Sequence, residues 1–179
     1  EVKIACALAS ILSDRDPFRR PEISYRLAIL DGQITCPPAN RGWLRRSQQL
    51  AKQFEQQVIR LGKLQDDQSL PQDQLAGYLL SCAYPDRVAR RRHAGGFQLA
   101  NGRSANFDGH HLLGKEPWLA IAEVGGIARS KGDTIRSAAP LNIRLFESLL
   151  SHLVDNQTIA EWDKKTKRFI GENRKVIGA

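Results

Sequence analysis

A chain of 179 residues, 41% of them apolar, is long enough for one ordinary domain or two small ones, and this composition does not indicate intrinsic disorder. The formal net charge of +8 favours an anionic partner such as a nucleic acid. No apolar run approaches the ~20 residues of a membrane span and no signal-peptide pattern occurs, so no membrane partner is expected.

The positive charge is concentrated in the second part of the chain. Up to Cys82 the sequence has 11 basic and 9 acidic residues, and after it 16 basic and 10 acidic residues. The three cysteines, Cys6, Cys36 and Cys82, are odd in number and far apart, which fits neither a disulfide framework nor a zinc site. This cysteine usage favours a reducing compartment, the cytoplasm.

Apolar residues at helical spacing predict four helices in the first part of the chain. The first helix begins at Glu1 without a preceding capping residue and ends before the turn-forming segment 14–17. Three more helices are expected, over residues 22–30, over 42–61 and from about Pro71 to Cys82. Four helices with short connections form a small bundle, which we place at residues 1–83.

From Val88 onward the helical period gives way to the alternation of strands. Apolar residues on both sides of Asn101 and Gly102 predict a hairpin, because this dipeptide readily forms the tight turn between two strands. The apolar run 118–124 predicts a buried strand. Two further strand segments are expected on either side of a turn at 131–133.

The final third of the chain predicts one helix and a last pair of strands. Leucines recur at four-residue intervals over 141–154, so a helix is expected there, and strands follow around 159–162 and 168–170. Strands, one helix and then closing strands match the order of a small five-stranded OB-like barrel, which we place at residues 84–179. The predicted fold class is therefore α+β, a four-helix bundle followed by this barrel. A further strand is expected at Val176, and because the tail stops within it, we expect a piece of a longer polypeptide.

The most informative segment runs from residue 83 to residue 103. Its basic centre is a cluster of four arginines, Arg87, Arg90, Arg91 and Arg92. Guanidinium groups on an extended backbone suit a phosphate polymer, although alternation along a strand allows at most two or three of them to meet one ligand. The functional interpretation is phosphate contact with a single strand, and the alternative is a solvated edge strand whose charges discourage aggregation.

Predicted turns present further cations. Arg103 follows the Asn-Gly turn, Lys131 lies in a glycine-flanked loop, and the last hairpin contributes basic residues at its tip: Lys164, Lys165, Lys167 and Arg168. Such loops border the oligonucleotide-binding face of OB-like barrels. The candidate nucleic-acid-binding residues are Arg87, Arg90, Arg91, Arg92, Arg103 and Lys131.

Aromatic residues of the second part could stack on bases: Phe97, Phe107, Trp118, Trp162 and Phe169. Phe97 and Phe107 stand at alternating apolar positions and Trp118 opens a buried run. We therefore expect core packing for each of the five.

No catalytic or metal site is predicted. His110 and His111 have no neighbouring cysteine or carboxylate at ligand spacing. A glycine-rich phosphate loop with its lysine, a serine nucleophile elbow and an Asp-Glu-x-His box are all absent from the sequence. We therefore assign no catalytic residue.

Several segments resemble the part downstream of the motor in HrpB-type DEAH-box ATP-dependent helicases of bacteria. They are 7–17, 25–30, 79–92 with its YPDRVARRR run, 99–105 and 118–122. The resemblance implies a helicase-associated, ratchet-like helical domain followed by an OB-like domain. In that family the two form one wall of a channel that holds a nucleic-acid strand against two RecA-like motor domains. The resemblance also implies a parent protein that uses ATP and Mg²⁺ and translocates on RNA or another single strand.

The sequence thus predicts an accessory nucleic-acid-binding module of an ATP-dependent RNA helicase. Two alternatives remain open. One is a protein-interaction module whose basic barrel face docks an acidic partner or the motor. The other is a standalone OB-type single-strand-binding protein.

Overall fold

The computed structural model of the chain describes residues 1–62, 70–92, 95–126, 132–163 and 168–177. Four α-helices come first, and a closed five-stranded barrel and a two-stranded ribbon follow. The predicted α+β class, a helical bundle followed by an OB-like barrel, is confirmed. The division between residues 83 and 84 stays a prediction, although the fourth helix ends at Ala83.

The helices lie close to their predicted positions: α1 Val2–Leu12, α2 Ile23–Leu30, α3 Arg41–Leu61 and α4 Gln72–Ala83. α3 ends at Gly62, whose positive φ of 66° suits a residue without a Cβ. The apolar face of α3 buries Trp43 against Ile11 of α1 and Ile29 of α2. Within the described ranges, no helix has the length and apolarity needed to cross a bilayer.

Five strands form the barrel: β1 Val88–Arg91, β2 Phe97–Leu99, β3 Ser104–Asn106, β4 Trp118–Gly125 and β5 Asp133–Pro140. Their order is β1-β2-β3-β5-β4, with a parallel pair between β3 and β5 and antiparallel pairs elsewhere. The predicted Asn101-Gly102 hairpin joins β2 to β3, with φ of 81° at Gly102. The barrel interior is filled mainly by apolar side chains, including those of Phe97, Leu119 and Ile121.

The prediction that the last two strands close the barrel is wrong. β6 Asp155–Asp163 and β7 Arg168–Val176 pair only with each other among the described strands. The barrel already closes through the β1–β4 pair and the β3–β5 pair, so it leaves no free edge for them.

The predicted helix over 141–154 is also wrong as a continuous α-helix. The segment forms two 3₁₀ turns, Ile143–Glu147 and Ser151–Leu153. The Asn142 side chain accepts a hydrogen bond from the Arg144 backbone N–H and starts the first turn. In this tight turn the neighbouring residues Leu145 and Phe146 are both buried in the core. The predicted α-helix, with leucines at four-residue spacing, would bury Leu145 but not require Phe146 to be buried.

The bundle and the barrel share an apolar core. Leu8, Ile23 and Leu80 of the helices pack in one cluster with Ala120 and Ala122 of β4. A backbone hydrogen bond from the Ala138 N–H to the Pro21 carbonyl, 2.8 Å long, adds to this contact. The helices therefore cover the outside of β4 and β5 and leave part of the outer face of β1, β2 and β3 open.

Candidate nucleic-acid interface

One row of side chains crosses four strands on the outside of the barrel, from the open β3, β2 and β1 to half-buried Trp118 of β4, which packs against Phe146. The register pairs Ser104 with Gln98, Gln98 with Arg90, and Arg90 with Trp118, so the four residues share one face. Arg92 joins them because its Nη1 donates a hydrogen bond to Ser104 Oγ at 3.1 Å. We call these five residues the arginine face.

The arginine face carries two exposed guanidinium groups and no carboxylate. The guanidinium carbon of Arg90 lies 5.8 Å from the centroid of the Trp118 ring, within the range of a cation–π contact. No ion pair between described side chains involves Arg90 or Arg92. Both charges can therefore pair with an external anion.

The other two arginines of the cluster have different surroundings. Arg87 is half-buried, and its Nη1 donates to the Ala122 carbonyl at 2.7 Å while its guanidinium lies 4.5 Å from the centroid of the Tyr84 ring. Arg91 falls on the opposite side of β1, where its Nη1 donates to the Lys115 carbonyl at 2.9 Å. The structure thus brings together half of the cluster rather than all of it.

The charge of Arg103 is balanced within the barrel. Its Nη2 donates to Asp133 Oδ1 at 2.6 Å, and Asp133 is buried at the start of β5. Lys131, Lys164, Lys165 and Lys167 lie outside the described residues. Arg168 opens β7 and is exposed.

The aromatic candidates fall into two groups. Phe97 lies in the barrel core, Phe107 packs edge-on against it with the ring centroids 5.8 Å apart, and Trp118 is half-buried. Trp162 is 51% exposed and Phe169 is 75% exposed, so the prediction of core packing is wrong for these two. Their strands form the separate two-stranded ribbon, where no other strand of the described chain pairs with them.

Sequence reasoning missed Arg15 and Arg19, which lie in and just after the turn predicted to follow the first helix. Both are exposed and line a groove of about 980 Å³ between the loop after α1 and strands β4 and β5. One carboxylate of this groove, Asp14, accepts a hydrogen bond from Arg46, which lowers its pKa below the usual range. Arg20 does not line this groove, and its guanidinium lies 4.8 Å from the centroid of the Tyr25 ring.

His111 has a structural role. His111 accepts a hydrogen bond from the Leu113 N–H at Nδ1, and its Nε2 lies 3.1 Å from Glu22 Oε1, so it links the barrel to the start of α2. No group of three or more potential metal ligands occurs in the part of the chain that the structure describes. The three cysteines are free thiols.

The chain has clear sequence similarity to a known helicase. The "ATP-dependent RNA helicase HrpB" of Escherichia coli (strain K12) is 34% identical to the chain over 179 residues, which is 99% of the chain. The chain is homologous to an accessory part of HrpB. It spans only 20% of the length of that relative. No family model matches the chain.

Solved structures of HrpB share the fold. The structure described as "Crystal structure of E. coli DExH-box NTPase HrpB" aligns with a TM-score of 0.72 and 26% identity, covering 99% of this chain and 20% of that one. A second, described as "Crystal structure of Escherichia coli DEAH/RHA helicase HrpB", gives a TM-score of 0.69 and 25% identity with the same coverage. The resemblance to the C-terminal accessory part of HrpB is thereby confirmed over both the bundle and the barrel.

Proposed function

We propose that the chain is an accessory nucleic-acid-binding module of a DEAH-box ATP-dependent RNA helicase. Its bundle and barrel would form a wall of the channel for a single strand beside RecA-like motor domains. The helicase assignment is supported by the similarity to HrpB. The binding assignment is supported chiefly by the arginine face, where Arg90 and Arg92 lie on one open side of an OB-like barrel.

The position of the arginine face suits a single strand. OB-like barrels bind oligonucleotides on the outside of their second and third strands, and Gln98 and Ser104 belong to those strands here. Arg90 and Arg92 are two positions apart, about 7 Å along an extended backbone, so neighbouring phosphates of a flexible strand can reach both. Arg87, Arg91, Arg103 and Lys131 remain candidate contacts, with the first three needing to exchange an internal partner.

ATP binding and hydrolysis would take place in the motor domains of the parent protein. The sequence has no glycine-rich phosphate loop with its lysine, so ATP and Mg²⁺ would be bound by the motor domains rather than by this chain. In this proposal the module contacts the strand and the motor domains, works in the cytoplasm and contributes no catalytic residue.

Removing the two charges of the arginine face tests the proposal. The R90Q/R92Q variant is expected to bind a fluorescein-labelled 12-nucleotide oligouridylate more weakly than the original 179-residue chain. The slope of log K against log salt should also become shallower by about 0.7 for each phosphate that the variant no longer neutralises. Fluorescence anisotropy titrations at several KCl concentrations measure both quantities.

The matched control removes the same charge from the helical bundle. R45Q/K52Q changes two exposed residues of α3, away from the barrel strands, and is expected to leave affinity and slope nearly unchanged. An equal loss of affinity in both variants would show that net charge alone attracts the strand. Unaltered binding by R90Q/R92Q would favour the protein-interaction alternative for this face.

A further inference from the structure

The two exposed aromatic rings of the ribbon stand next to each other. The register places Trp162 opposite Phe169, with ring centroids 4.9 Å apart in an edge-to-face arrangement. A cross-strand aromatic pair helps to stabilise a two-stranded ribbon, which alone is at best marginally stable in water. Both rings also stay exposed, so a ligand can reach them. At the base of the ribbon, Val154 and Ile177 pack against the core cluster that contains Leu145.

The residues beside the rings leave a flat and open surface. The next register pair on the same face is Ala160 with Gly171, and a Cβ added at Gly171 would meet no heavy atom of the described residues within 4 Å. Thr158 and Asn173 follow and hydrogen bond to each other at 2.9 Å. The surface beside the rings therefore consists of small and hydrogen-bonding residues rather than aliphatic ones.

Charge is divided unevenly between the two sides of the ribbon. The pair beyond Thr158 and Asn173 is Asn156 with Lys175, so the side that bears the rings contains one cation and no acidic residue. All four acidic residues of β6 and β7 occupy the alternate register positions. From Asn156 to Trp162 this acid-free side extends about 20 Å. Arg168 pairs with Asp163 at an alternate register position, so Lys175 is the cation of the ring-bearing side.

We propose that this side of the ribbon, with Trp162 and Phe169 as its stacking surface, takes an unpaired base of a single-stranded nucleic acid. Bases stack on exposed aromatic rings with little sequence preference, and cations nearby attract the phosphates. An apolar protein partner would be matched by aliphatic residues around the rings, whereas this side offers Ala160, Gly171, a hydroxyl, amides and an ammonium group. This inference rests on the proposed function and adds a second contact region to the arginine face.

Removing both rings tests the inference in the full 179-residue chain. The W162A/F169A variant is expected to bind the labelled oligouridylate about tenfold or more weakly, since one stacked base contributes roughly that much. The salt slope should stay unchanged, because stacking releases no counterions. An abasic strand of equal length should bind the variant and the original chain equally, since it has no base to stack.

Two controls separate stacking from damage to the ribbon. W162F keeps an aromatic ring and is expected to retain most of the affinity, and Q157A changes an exposed residue at an alternate register position and should have no effect. Oligouridylate affinity that is the same in W162A/F169A and the original chain would overturn the inference. An equal loss of affinity for the abasic strand would also overturn it, because the rings would then act on the fold or on phosphates.

The outcomes for the two surfaces are distinguishable. Weaker binding by W162A/F169A with no effect of R90Q/R92Q would support the ribbon and reject the arginine face. Weaker binding by R90Q/R92Q with no effect of W162A/F169A would leave the proposed function in place and reject the ribbon.

Discussion

Replacing Asp16 by asparagine is expected to lower the free energy of unfolding by about 3 kcal/mol. Asp16 is the counter-ion of Arg26, whose side chain is 0% exposed, while that of Asp16 is 16% exposed. Arg26 Nε donates to Asp16 Oδ2 at 2.7 Å, and Arg26 Nη2 donates to the same carboxylate. Asparagine keeps an acceptor oxygen but not the negative charge, so the buried guanidinium is left with neutral acceptors, including the Glu22 carbonyl at 2.8 Å and the Phe18 carbonyl at 3.5 Å.

Urea denaturation followed by circular dichroism measures the change, and Asp14 supplies the matched control. Asp14 pairs with Arg46, whose side chain is 64% exposed, so D14N should cost less than about 1 kcal/mol. The two variants remove the same charge two positions apart in one loop. A D16N cost no larger than that of D14N would show that the buried pair does not hold the loop after α1 to α2.

Replacing Gly77 by alanine is expected to lower the free energy of unfolding by about 2–3 kcal/mol. An ideal Cβ at this position of α4 would lie 2.1 Å from the Pro140 backbone oxygen and 3.4 Å from the Leu141 Cα. Both are backbone atoms, so α4 must move away from the barrel to make room. This overpacking outweighs the gain of about 1 kcal/mol that alanine brings to a helix interior.

Gly42 of α3 provides the opposite case. The one heavy atom near its added Cβ is Arg46 Nη1 at 3.6 Å, at the end of a flexible side chain. G42A should therefore raise the free energy of unfolding by up to about 1 kcal/mol. Thermal and urea unfolding of both variants measure the two effects. A stabilising G77A would contradict the close packing of α4 on the end of β5.

Features set by neighbouring residues were predicted well from the sequence. The four helices follow from apolar spacing, and the β2–β3 hairpin follows from Asn101 and Gly102. The general position of the cationic strand was also predicted, because four arginines lie within six residues. Strand alternation predicts that Arg90 and Arg91 face opposite sides of β1. Which of the two sides is open depends on where the helices cover the barrel.

Features set by distant pairing could not be predicted in the same way. The exposure of Trp162 and Phe169 depends on the barrel closing through β3 and β5 without the ribbon. Leucines at four-residue spacing over 141–154 indicate an α-helix, yet the Asn142 cap and buried Phe146 favour two tighter turns. The exposure of the two rings is set by distant strand pairing, whereas the two turns combine a local cap at Asn142 with the distant packing of Phe146 against Trp118.

The common core of Leu80 and Ala122 has a mechanical consequence. If the bundle rotated against the barrel, these side chains would separate and water would reach them, at a cost of roughly 25 cal/mol for each Å² of apolar surface. The bundle and the barrel should thus move together as one rigid body. In a longer protein, a hinge that changes the position of this rigid body would have to lie outside it.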